Sequence, residues 1–83
     1  MQKIKEKNDD IYNIIAKNIK YYRKKKNMTQ AKLAEETEYS HEFIRRIEAP
    51  NMQKNFSIET VSNIADALDV DISVLFERED KNK

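Results

Sequence analysis

One device occurs four times in this 83-residue chain: an apolar residue, then a capping residue, then a second apolar residue five positions after the first. It appears as Met28-Thr29 with Leu33, Tyr39-Ser40 with Ile44, Phe56-Ser57 with Val61, and Val70-Asp71 with Leu75. A cap oxygen accepts a hydrogen bond from a backbone N–H that the first helical turn leaves unpaired, and the flanking apolar pair packs across that turn. Each occurrence therefore marks a helix start. Four starts so close together leave room only for short helices joined by tight connections.

A fifth helix precedes the first of these starts. Ile11, Ile14, Ile15, Ile19 and Tyr22 fall on one stripe, with Lys17, Lys20 and Lys24 opposite. The pattern predicts helices over about 10–26, 30–37, 41–48, 58–68 and 72–77. Asp9 and Asp10 suit the dipole at the start of the first, and Lys24, Lys25 and Lys26 suit its end. Asn27 can close it in the left-handed conformation. Ile58, Val61, Ile64, Ala65 and Leu68 are expected on one buried face of the fourth. Pro50 ends the third. No segment alternates as a strand does, so the expected class is all-α, a compact five-helix domain over 9–77. A flexible tail is expected at 1–8 and a disordered one at 78–83.

Composition removes several function classes. The chain has no glycine, so the phosphate-cradling loops that need it for close backbone approach are excluded. With one histidine and no cysteine, no metal cage or catalytic triad can be assembled. An enzyme is not expected, nor a metal, a cofactor or a small-molecule ligand. No apolar run approaches the ~20 residues that span a bilayer, and the charged start MQKIKEKNDD lacks a signal-peptide core. A cytoplasmic protein with no membrane partner is expected. The net charge of +1 conceals an asymmetry. Residues 1–32 carry ten basic and three acidic side chains, whereas 57–83 carry three basic and seven acidic. Such a division fits either solvated helix faces or one polyanion-facing end.

Residues 29–48 read TQAKLAEETEYSHEFIRRIE. On one continuous helix Ser40 and His41 would interrupt the apolar face and Tyr39 would point away from it. Broken at Ser40, the serine becomes a cap and both halves acquire apolar faces. Two short helices joined by a three-residue turn describe a helix-turn-helix. The stretch resembles the motif of the phage-repressor and Cro-like helix-turn-helix family, the lambda repressor-like domain. Thr29-Gln30, Leu33-Ala34, Ser40, Ile44 and Ile47-Glu48 carry the match. IKYYRKKKNMTQ resembles the family's first helix, and FSIETVSNIADALDVDISVLF its last two, so the likeness covers about 14–76. The chain departs from the pattern at Glu38, where the family usually has glycine, at Thr37, where it often has an aliphatic residue, and at Ala49-Pro50.

The resemblance places the third helix in the major groove of double-stranded DNA. Phasing agrees: with Ile44 and Ile47 inward, His41, Glu42, Arg45 and Arg46 face outward as candidate base-contacting residues. Arginine grips guanine O6 and N7 with two donors, and a carboxylate accepts from cytosine N4. Arg46 is favoured as a reader, and Arg45 reaches either base or phosphate. Glu42 is equally compatible with a base contact and with an i,i+4 ion pair to Arg46. Backbone-contacting candidates are Thr29, Gln30, Lys32, Ser40, Asn51 and Lys54. By resemblance, Gln30 bonds a phosphate and braces the recognition helix, and Arg23 pairs with Glu48 to tie helix one to helix three.

Ile72, Val74, Leu75 and Phe76 put four apolar residues into five positions of the last helix, too many for one buried face. A homodimer through this region is expected, matching a palindromic operator. The leading expectation is a sequence-specific transcriptional regulator, a repressor or autoregulator of the small stand-alone type found among phage and plasmid repressors, antitoxins and restriction–modification controllers. The alternative is a protein–protein interaction module that keeps the fold without binding DNA.

Overall fold

The computed structural model describes residues 11–49 and 55–78. Four α-helices follow one another: α1 (Ile11–Lys25), α2 (Gln30–Thr37), α3 (His41–Glu48) and α4 (Ile58–Leu68). A 3-10 helix, Ile72–Phe76, closes the fold. Among the described residues there is no strand. Asp9, Asp10, Pro50, residues 1–8 and the last five positions lie outside the described residues.

All four caps form. Thr29, Ser40 and Ser57 accept from the N–H groups of Lys32, Phe43 and Thr60, and Asp71 from that of Ser73. Helix ends are equally explicit. With no glycine available, the left-handed positions fall to Asn27 (φ 58°), Glu38 (φ 65°) and Asp69 (φ 59°). At the end of α1, the Met28 N–H reaches the Arg23 carbonyl at 3.0 Å and the Asn27 N–H that of Lys24 at 2.9 Å. At the end of α4, Val70 and Asp69 repeat the arrangement on the carbonyls of Ala65 and Asp66. This double closure satisfies the last carbonyls of each helix. Met28 and Val70 therefore serve twice, closing one helix and stapling the next, and both pack against the core.

The core gathers Ile15 and Ile19 of α1, Leu33 and Ala34 of α2, Ile44 and Ile47 of α3, and Val61, Ile64, Ala65 and Leu68 of α4, with Phe56 and Leu75. Burying each large aliphatic side chain here contributes about 1.5–3 kcal/mol. At the rim, Tyr12 meets the Phe56 ring edge to face at 5.0 Å.

Three expectations are corrected. The fifth helix is a 3-10 turn, one residue shorter than expected. Buried Asn18 of α1 fastens its end: the side-chain amide donates to the Leu75 carbonyl at 2.9 Å and to the Glu77 carbonyl at 2.8 Å. These are last-turn carbonyls that a helix leaves without an internal donor, and a segment this short has little α-helical stability of its own. Leu75, expected at a dimer interface, is wholly buried in the protomer's own core. Ile58, expected on the buried face of α4, is 64% exposed, because the first helical position lies beyond the edge of the core. No helix among the described residues is long and apolar enough to cross a membrane.

Candidate nucleic-acid interface

The turn between α2 and α3 is built without glycine. Glu38 sits at φ 65°, ψ 19°, a conformation that costs a non-glycine residue roughly 1–2 kcal/mol. Neighbours hold it there. The Thr37 hydroxyl lies 2.9 Å from the Leu33 carbonyl and 3.1 Å from that of Ala34, and it accepts from the Tyr39 N–H at 3.3 Å. A threonine where an aliphatic residue is usual thus ties the end of α2 to the turn. Tyr39 meets Phe43 edge to face with ring centres 5.1 Å apart, and its hydroxyl accepts from Asn63 of α4 at 2.8 Å. Ser40 then opens α3, its oxygen 3.0 Å from the Phe43 N–H.

Ile44 and Ile47 anchor α3 from below, and His41, Glu42, Arg45 and Arg46 are all exposed on the other side. Glu42 is paired, but with Arg45 rather than Arg46: the Arg45 Nη2 lies 2.7 and 2.6 Å from its two oxygens. The i,i+3 neighbour therefore wins over the i,i+4 one that the sequence suggested. That hydrogen bond holds the Glu42 carboxyl below its usual range and raises Arg45 in return. Arg46 has no ion-pair partner among the described residues, so its guanidinium is the unengaged one on this face.

The far end of α3 is clamped. Arg23 Nε donates to Glu48 Oε2 at 2.7 Å and Arg23 Nη2 to Glu48 Oε1 at 2.9 Å, a two-pronged pair with both side chains below a tenth exposed. Arg23 Nη1 also donates to the Met28 carbonyl at 2.7 Å, and Gln30 Nε2 donates to Glu48 Oε1 at 3.1 Å. One carboxylate thus joins the end of α1, the start of α2 and the end of α3. Such bidentate charged bonds fix orientation as well as distance.

At the start of α2, Thr29 is occupied as a cap and Gln30 as a brace. Lys32 is not gathered with them: its ammonium lies 3.3 Å from Glu36 and 3.8 Å from Glu35, one turn further along. The bond to Glu36, then the Glu35 charge, raises its pKa. Asn51 and Lys54 lie outside the described residues. Ile72, Val74 and Phe76 remain half-buried at the edge of the core.

Asn18, Thr37 and the Tyr39–Asn63 bond were not foreseen from the sequence. A signal existed for Asn18, a polar residue inside the α1 stripe beside Ile15 and Ile19, where a buried amide must find partners. The other two depend on how α4 crosses the turn.

The helix-turn-helix family model matches residues 19–75, from mid-α1 through the last core position. The chain belongs to the Cro-type helix-turn-helix family. The crystal structure of SinR, a master regulator for biofilm formation, in complex with DNA is 33% identical over 76% of this chain and 98% of that chain, with a TM-score of 0.69. A hypothetical transcription factor from Neisseria, NHTF, shares the fold at a TM-score of 0.76 over 93% of this chain and 86% of its own, with 19% identity. Among curated proteins none matches. Membership of this helix-turn-helix family makes the chain a DNA-binding transcription regulator rather than an enzyme.

Proposed function

We propose that this chain is a sequence-specific repressor or autoregulator that binds a palindromic operator as a dimer. The α3 helix enters the major groove, with Arg46 and His41 at base edges. Glu42 and Arg45 either act there as a linked acceptor–donor pair or separate on contact with DNA. Thr29, Gln30, Lys32 and Ser40 border the phosphates on either side, together with Asn51 and Lys54. The half-buried Ile72, Val74 and Phe76 supply the dimer contact.

The observation that carries this reading is the presentation of α3. Its four exposed polar side chains sit on a helix pinned at one end by the Ser40 cap and at the other by the buried Arg23–Glu48–Gln30 cluster. A reading helix must hold its side chains in one register, and a rigid mount gives that without ordering cost on binding.

The test is selection of bound fragments from a genomic library by the purified protein, followed by a salt titration on the selected duplex. Recovery of an inverted repeat, with affinity falling steeply with salt as counterions are released, is the expected result. No salt-dependent binding to any duplex would instead favour an interaction module that keeps the fold without DNA.

A further inference from the structure

Two exposed stripes carry charges used neither in the core nor at the proposed DNA face. On α1, Lys17, Lys20 and Lys24 recur at i, i+3 and i+7, opposite the buried Ile15 and Ile19, and none has an ion-pair partner among the described residues. On α4, Glu59, Asn63 and Asp66 recur at i, i+4 and i+7, opposite the buried Val61, Ile64, Ala65 and Leu68. Glu59 and Asp66 are likewise without an ion-pair partner among the described residues. Each stripe spans eight residues, or about 10 Å of helix.

The helices α1 and α4 pack against each other through their apolar faces. The lysine stripe and the carboxylate stripe thus lie on the outward faces of two different helices. Beside the acidic stripe lies an open groove of about 400 Å³, lined by Glu36, Thr37, Asn63, Asp66 and Ala67, which has room for an ammonium-tipped side chain.

We propose that the lysine stripe of α1 docks on the acidic α4 stripe of a second copy of this chain. In an antiparallel arrangement Lys17 meets Asp66, Lys24 meets Glu59, and Lys20 reaches Asn63. Because the two surfaces differ, the contact is heterologous and repeats head to tail, in a ring or an open chain. It is separate from an apolar dimer contact at Ile72, Val74 and Phe76, and it does not depend on DNA recognition. Exposed ion pairs are individually weak, so two of them with one hydrogen bond give an association that matters at high protein concentration and low salt.

The test is sedimentation of the full chain without DNA over a concentration series at about 0.01 M and about 1 M ionic strength, where screening lengths differ about tenfold. The wild type should form species larger than a dimer at low salt and lose them at high salt. The triple reversal Lys17→Glu/Lys20→Glu/Lys24→Glu and the double reversal Glu59→Lys/Asp66→Lys should each weaken association by about tenfold or more. The chain carrying all five changes should regain it. Circular dichroism melts confirm folding, and if a reversal variant unfolds, Lys→Gln and Glu59→Gln/Asp66→Asn substitutions replace it with the same expected loss. A wild-type mass that does not respond to salt, or a five-fold swap that fails to restore assembly, overturns the proposal. DNA binding by a chain whose stripes do not associate would leave the reading above intact and refute only this contact.

Discussion

Replacing Glu48 by alanine probes the cluster on which the mount of α3 rests. The carboxylate accepts two bonds from Arg23 and one from Gln30, and its side chain is 2% exposed. Its removal leaves a guanidinium below a tenth exposed, with the Met28 carbonyl as its remaining described acceptor. Breaking one side of such a pair costs ~3–5 kcal/mol, because the partner's charge stays buried without compensation. A chain of this length has a total stability of about 4–12 kcal/mol, so Glu48→Ala removes a large share of it. At about 4–8 °C per kcal/mol for a domain of this size, the melting temperature should fall by more than ten degrees. Thermal and urea melts followed by circular dichroism measure this. Glu48→Gln, which keeps acceptor geometry toward Arg23 but not the charge, should lie between the two. The double substitution Arg23→Met/Glu48→Leu should recover most of the loss, since apolar residues of similar volume replace a buried pair at little cost. A Glu48→Ala melt within a degree or two of wild type would refute the reasoning. So would strict additivity of the Arg23 and Glu48 substitutions.

Further outcomes follow from the same geometry. Asn18→Ala should cost about 2–3 kcal/mol and release the 3-10 helix, visible as faster amide exchange over 72–77, because two carbonyls lose their donor. Glu38→Gly should be neutral to stabilising by up to about 1 kcal/mol, and Glu38→Val destabilising by at least that much, because only the former relieves the left-handed backbone. Arg46→Ala should weaken binding to the selected operator by about 1–3 kcal/mol while leaving binding to random duplex nearly unchanged. The Asp71 carboxyl is held below its ordinary range, chiefly by the Ser73 backbone N–H. A depressed carboxylate contributes stability above its unfolded pKa of about 4 and loses it as pH falls through the lower folded value. Melts across this acid range should therefore show wild type and Asp71→Asn converging toward the acid end.

What the sequence determined by itself is local. A cap needs only a side-chain oxygen and an N–H two or three residues away, so Thr29, Ser40, Ser57 and Asp71 could be placed without knowing what packs on them, and with them the division of 29–48 into two helices. Periodicity placed Ile15, Ile19, Leu33, Ile44, Ile47 and Leu68 inside for the same reason. Arg23–Glu48 was reachable through family resemblance, since nothing local joins residues 25 positions apart. Only the tertiary structure decided the rest. Whether Ile58 is covered depends on where the core ends, and whether Leu75 faces a partner or its own core depends on how the last turn is held. That turn is fastened by Asn18, far away in sequence, through the Leu75 and Glu77 carbonyls. Glu42 turns to Arg45 rather than Arg46, a choice between two neighbouring guanidinium groups that spacing alone left open. Helix starts are written in short-range hydrogen bonds, whereas burial and long-range partner choice arise only when α1, α3 and α4 are laid against one another.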